Sequence, residues 1–228
     1  MAKQKKNSNY QTEKNSTEKA LKEEQKQKEK QAKKLKLASL IAGASAGFIA
    51  IVMIILFAAG AFDYVPETTY HASLDIEGYG SLHIALYGKE APEAVDNFIE
   101  LAGDGYFDGM YLHTFIDGLL YGGGKEADGG SDGIKGEFSA NGVKNNIVMK
   151  KGVICMARGE DYDSAYDQFF ILTKNNSKLS GNYAAFGKVT DMDVLDAILK
   201  SIETNADGSI TEATAPKITK ISLHESHD

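Results

Sequence analysis

Residues 37–62, LASLIAGASAGFIAIVMIILFAAGAF, run for 26 positions without one formal charge, between Lys36 and Asp63. That exceeds the roughly 20 apolar residues that cross a bilayer core, so the segment reads as a transmembrane helix. The competing reading is a cleaved signal peptide, since Ala59-Gly60-Ala61 resembles a small-residue cleavage site. A signal h-region usually spans only about 7–15 residues, which favours a retained anchor. The tail before it, residues 1–36, holds 12 Lys against 5 Glu, whereas the remainder holds 13 Lys plus Arg against 27 Asp plus Glu. Lysines crowding one side of an apolar span place that side in the cytoplasm. The sequence therefore predicts a single-pass cell-membrane protein with its N-terminus cytoplasmic and its C-terminal domain extracytoplasmic.

The tail is rich in Lys, Glu and Gln, with Tyr10 as its one aromatic residue, and is read as disordered or as a solvated helix because it has too little apolar surface to bury. A basic run can bind nucleic acid, but the adjoining span explains this one better, and no nucleic-acid partner is expected. Residues 63–69, with Pro66, read as a linker, and residues 70–228 as one domain of a size that can bury its own core. A lone cysteine, Cys155, excludes a disulfide framework and reads as a small core residue.

Within 70–228, Ala72, Leu74 and Ile76 alternate with polar residues. After a Glu77-Gly78-Tyr79-Gly80 turn, Leu82, Ile84 and Leu86 do the same, which predicts a hairpin with His71 and His83 on its polar side. Pro92 opens a helix whose Ala94, Val95, Phe98, Ile99 and Ala102 share one face, ended by Gly103 and Gly105. Short β-type runs follow at 153–157, 169–172 and 184–189, then a second helix over 192–202 and a closing strand at 218–223. The pattern is mainly β with two helices, as in a closed barrel capped at its ends.

Most chemical motifs fail on their own spacing. Gly122-Gly123-Gly124-Lys125 lacks the earlier Gly and the following Ser or Thr of a phosphate loop. Residues 203–214 begin like a calcium loop, but place Glu203 at position one and Thr214 where the bidentate Glu belongs, so a turn explains them as well. His224 and His227 have no partner cysteines, and neither Gly-x-Ser-x-Gly nor His-Glu-x-x-His occurs. Neither a metal nor a cofactor is expected.

A family resemblance is carried by Ala91-Pro92-Glu93-Ala94-Val95-Asp96-Asn97-Phe98, Gly105-Tyr106-Phe107-Asp108-Gly109, Leu112-His113, the Gly122, Gly123 and Gly124 cluster, and Gly136-Glu137-Phe138 with Asn141-Gly142. It continues in Gly152-Val153, Met156-Ala157-Arg158, Gln168-Phe169-Phe170 and Phe186-Gly187-Lys188-Val189. In that order, over about 70–223, these resemble a cyclophilin-type peptidyl-prolyl isomerase. The resemblance implies an eight-stranded antiparallel barrel with two capping helices and an activity needing no nucleophile or metal. It implies an apolar proline pocket of Leu119, Leu120, Phe170, Leu179 and Tyr183, with Gln168 as a polar groove residue. Leu119 and Leu120 stand where the family usually has Phe and Met. The implied partners are proline-containing peptide segments or unfolded extracytoplasmic proteins.

The chain departs from the family at its first groove segment, reading Leu112-His113-Thr114 where Phe-His-Arg is usual, and Gly122 where Gln is usual. Losing one preorganised donor costs about 10²–10³ in rate, which predicts reduced activity. Arg158, the sole arginine in the chain, is the possible substitute donor; its alternative role is to bind backbone or a neighbouring acid such as Asp161. Tyr162, Tyr166 and Asp167 replace the small residues usual before Gln168 and reshape the neighbouring pocket. Two functions stay open: a slow prolyl isomerase, and a catalytically impaired peptide-binding or chaperone module on the same barrel.

Overall fold

The computed structural model describes residues 66–125 and 132–225, all within the second of the two units into which the chain divides, Tyr64–Asp228. The expected transmembrane helix, the N-terminal tail and His227 lie outside the described residues. Among those described, no helix is long and apolar enough to cross a membrane.

The strands are β1 (Tyr70–Ile76), β2 (Gly80–Leu86), β3 (Leu112–Ile116), β4 (Leu119–Gly123), β5 (Val153–Met156), β6 (Gln168–Leu172), β7 (Ala185–Val189) and β8 (Ile218–Glu225); the helices are α1 (Pro92–Gly103) and α2 (Met192–Ser201). Strands β1 and β2 pair antiparallel around the expected turn, Leu74 facing Leu82 and Ala72 facing Ile84. Their alternate residues are fully buried while His71 and His83 are exposed. Strands β5 and β6 are buried along their whole length, because two apolar clusters sandwich them. The inner cluster holds Ile154, Met156, Phe169 and Ile171 with the buried face of α1. The outer one holds Cys155, Phe170 and Leu172. Having no polar side explains why these runs are continuous in the sequence instead of alternating.

The sheet order is β3-β4-β6-β5-β7-β2-β1-β8, so the expected closed barrel is corrected to an open one. Strands β3 and β8 do not pair along their length. The seam carries a few backbone bonds, Leu112 N–H to the Pro216 carbonyl at 2.9 Å and Ile218 N–H to that of Met110 at 2.8 Å. Beyond Leu112 the edge of β3 is taken by the loop at 204–210: Phe115 N–H donates to the Gly208 carbonyl and Ile210 N–H to that of His113, both at 2.8 Å. A loop that satisfies an edge removes the need for strand-to-strand closure. That loop is the calcium-like segment. Its Asp207 Oδ1 accepts from the Ser209 backbone N–H and hydroxyl, at 2.9 and 2.6 Å, and Thr214 Oγ1 accepts from Glu203 N–H.

Helix α1 begins at Ala91 and Pro92 with no side-chain cap of its own. The buried Glu137 supplies one from a distant segment, accepting from the Glu93 and Ala94 backbone N–H groups at 3.0 and 2.9 Å. Burial raises its pKa, opposed by those two N–H groups and reinforced by Glu93 and Asp96. Glu137→Ala strands one buried and one partly buried donor and is expected to cost about 1–3 kcal/mol. A raised carboxyl pKa favours the folded state below its unfolded value and loses that contribution as pH rises through the folded one. Denaturant titrations of wild type and variant are therefore expected to show a wider stability gap near pH 4.5 than at pH 7.

Candidate functional site

The outer cluster presents a cross-strand row. Thr114 faces Tyr121, Tyr121 faces Phe170, and Phe170 faces Cys155, all on the side of the sheet away from α1. The Tyr121 and Phe170 rings lie 5.4 Å apart, and the Tyr183 ring meets Phe170 edge-on at 5.2 Å. Leu119 and Leu179 pack into the same cluster. Four of the five expected pocket residues, Leu119, Phe170, Leu179 and Tyr183, are thus brought together.

The fifth is corrected. Leu120 lies inside the barrel, fully buried in the inner cluster and registered between Phe115 and Ile171, and Tyr121 takes the outward place. The cause is the link Asp117-Gly118, whose φ values of 54° and 83° make the two-residue turn that sets hairpin register. With Ile116 facing Leu119 across it, alternation sends Leu120 inward and Tyr121 outward. An Asp-Gly pair between two apolar runs was the available signal, together with period-two counting from Leu119.

Gly122 also faces inward. A Cβ there would lie 2.5 Å from Leu112 Cδ2 and 3.1 Å from the Phe169 ring, so a larger side chain would require Leu112 to shift. The Gly124 carbonyl accepts two bonds, from Gln168 Nε2 at 2.8 Å and His113 Nε2 at 3.0 Å. Gln168 is buried, and this bond holds its amide against the strand end. Since a carbonyl can only accept, His113 carries its hydrogen on Nε2 and its Nδ1 accepts from the Thr114 hydroxyl at 2.9 Å. Burial lowers the His113 pKa, with the Gly124 bond opposing and Lys125 assisting. The ring stays neutral at pH 7, and the Thr114 proton is committed to it.

Arg158 sits at the other end of the row. Its guanidinium lies 5.0 Å from the Tyr183 ring centroid, 4.8 Å from Tyr162 and 5.3 Å from Phe138. Nε donates to the Asn182 carbonyl at 3.1 Å and Nη1 to those of Gly159 and Glu160 at 2.9 and 3.4 Å. Backbone carbonyls, not Asp161, are its hydrogen-bond partners. Tyr183, Phe170 and Tyr121 stand between Arg158 and Thr114. Beside this wall Asp167 accepts from the Tyr106 hydroxyl at 2.6 Å, a bond that with burial pushes the Tyr106 pKa up to about 12, and Tyr166 packs edge-on to Tyr106.

The arrangement offers two half-buried phenols, Tyr121 and Tyr183, packed over the buried Phe170 ring, with many nearby N–H and O–H groups already spent on the protein. Among the described residues no group of three or more His, Cys, Asp or Glu is placed to hold a metal. Cys155 is fully buried under Phe170, and burial raises its pKa. An apolar floor of this kind suits a ring such as proline's, bound without covalent chemistry.

Residues 71–223 match the family described as cyclophilin type peptidyl-prolyl cis-trans isomerase. The chain is 32% identical over 159 residues to peptidyl-prolyl cis-trans isomerase A of Dickeya dadantii, covering 65% of this chain and 81% of that one. It is 31% identical over 149 residues to isomerase B of Escherichia coli, covering 61% and 87%. It also matches CYP57 of Arabidopsis thaliana, 30% identical over 149 residues, spanning 64% of this chain and 29% of that longer protein. A cyclophilin-type isomerase from Cryptosporidium parvum, solved in the presence of the dipeptide Ala-Pro, shares the fold with a TM-score of 0.59 at 23% identity, over 68% of this chain and 99% of that one.

Proposed function

The chain belongs to the cyclophilin-type peptidyl-prolyl cis-trans isomerase family, and from that premise we propose that it accelerates rotation about Xaa-Pro bonds slowly, in proteins outside the membrane that residues 37–62 anchor it to. The observation that carries the site is the row of rings Tyr121, Phe170 and Tyr183, in which two half-buried phenols packed on the buried Phe170 frame an aromatic seat for a proline ring. A planar amide resists rotation by about 18–20 kcal/mol, and an Xaa-Pro bond left alone isomerises in tens to hundreds of seconds. Seating the ring while the preceding carbonyl turns favours the twisted form over either planar one, which is all the reaction requires. Reduced activity follows from Thr114, whose hydroxyl proton goes to His113 and which has no guanidinium fork.

That same bond favours a second reading, a module that holds proline-containing segments without turning them over. Isomerisation of an Xaa-Pro peptide by the full chain and by Thr114→Arg separates the two. A guanidinium emerging beside Tyr121 is expected to raise kcat/KM by about 10- to 30-fold. If wild type is no faster than the spontaneous reaction while the variant is, the binding module is the correct reading.

A further inference from the structure

We infer that the Tyr121 hydroxyl is the hydrogen-bond donor to the prolyl peptide bond in this protein, supplied from β4 where a donor from β3 is missing. The inference rests on the isomerase reading above. When an amide twists, its nitrogen lone pair leaves resonance with the carbonyl and localises, becoming a hydrogen-bond acceptor that the planar form lacks. A fixed O–H or N–H aimed at that nitrogen binds the transition state better than either ground state. The outer face must therefore provide a donor, and few remain. Thr114 gives its proton to His113, whose own ring hydrogen goes to the Gly124 carbonyl. Gln168 gives an amide hydrogen to that same carbonyl. Arg158 is bonded to three carbonyls and stands beyond Tyr183.

The Nη2 hydrogens of Arg158 lie beyond Tyr183 and the second amide hydrogen of Gln168 belongs to a buried side chain, so the donors nearest the row are the two phenols flanking Phe170, and no hydrogen-bond partner for either hydroxyl stands among the described residues. A half-buried hydroxyl without a partner carries a desolvation cost that a ligand's acceptor relieves. Position decides between the two. Tyr121 is the residue directly across from Thr114 on the same face, where opposed side chains sit about 4.5–5.5 Å apart at Cβ, so its phenol approaches the proline seat from the side on which residue 114 lies. Tyr183 approaches from the opposite side, stacked on Arg158. Burial, with Tyr183 and Asp117 nearby, raises the Tyr121 pKa, so the phenol keeps its proton throughout the neutral range. Being neutral, it donates more weakly than a guanidinium, and the enzyme is slow rather than inert.

The test is steady-state isomerisation of an Xaa-Pro peptide by the full chain and three variants, with peptide affinity and Tm measured alongside. Tyr121→Phe keeps the ring against Phe170 and removes only the hydroxyl. It is expected to lower kcat about 10- to 30-fold with KM, peptide Kd and Tm close to wild type. Tyr183→Phe is expected to lower kcat less than Tyr121→Phe does, and Thr114→Arg placed in Tyr121→Phe to restore the loss, since either group serves the same nitrogen. A Tyr121→Phe protein as fast as wild type, a loss that appears in KM alone, or a larger loss in Tyr183→Phe overturns the inference and leaves the isomerase reading standing. A wild type no faster than the uncatalysed reaction overturns both.

Discussion

Phe170→Ala is expected to abolish measurable binding of Xaa-Pro peptides and to lower stability by about 3–5 kcal/mol. The ring is 1% exposed and faces Tyr121 at 5.4 Å and Tyr183 at 5.2 Å, with Cys155 opposite it in register. Truncation opens a cavity in the outer cluster and leaves both phenols without the surface that holds them. Because the neighbours include backbone on three strands, the site has little freedom to collapse, which puts the cost towards the upper end of the range. For a domain of this size each kcal/mol moves Tm by about 2–4 °C, so thermal unfolding should fall by roughly 6–20 °C. Phe170→Leu keeps most of the buried area and serves as the control. If it retains stability but binds no peptide, the aromatic floor itself, and not mere packing, is what seats the ligand; if Phe170→Ala binds peptide as wild type does, the site lies elsewhere.

Arg158→Ala is expected to cost about 2–4 kcal/mol, combining charge-assisted hydrogen bonds of about 1.5–3 kcal/mol each with ring contacts of about 0.5–1 kcal/mol each, discounted because they share one side chain. The guanidinium fastens the carbonyls of Gly159, Glu160 and Asn182 to the rings of Phe138, Tyr162 and Tyr183. It ties the segment after β5 to the one before β7. Peptide affinity should fall with stability, since Tyr183 loses the cation under its ring. Arg158→Lys should rescue little, as an ammonium cannot reach several carbonyls in one plane while lying flat on a ring. Paired measurements of Tm and kcat decide its role. A variant with unchanged Tm and lost kcat would make Arg158 a catalytic donor; the contacts predict the reverse.

Much of the fold was legible. The alternation in β1 and β2, the helical stripe after Pro92 and the continuous runs of β5 and β6 each follow from one or two buried faces. Strands β3 and β4 were harder, because the run 112–124 mixes apolar residues with glycines and alternates poorly. Only Asp117-Gly118, with both φ positive, marks the hairpin. Seam closure was not legible at all. Which segment satisfies the free N–H groups of β3 is a matter of loop path, and the 204–210 segment reached them where β8 did not.

The site divides the same way. By itself the sequence determined which side chains are available: an apolar span at 37–62, one arginine, a threonine at 114 and a run of phenylalanines and tyrosines around Gln168. Residue type follows from the chain alone. Only the tertiary structure decided which of them face one another. A strand's side chains alternate, so a register set by one two-residue turn sent Leu120 into the core and Tyr121 out to Phe170, and one step of slippage would exchange them. The commitment of Gln168 and Arg158 to internal acceptors was likewise invisible, because those acceptors are backbone carbonyls, and every residue carries one regardless of its name; that of Thr114 to the neighbouring His113 ring depended on a rotamer and a tautomer the sequence does not state.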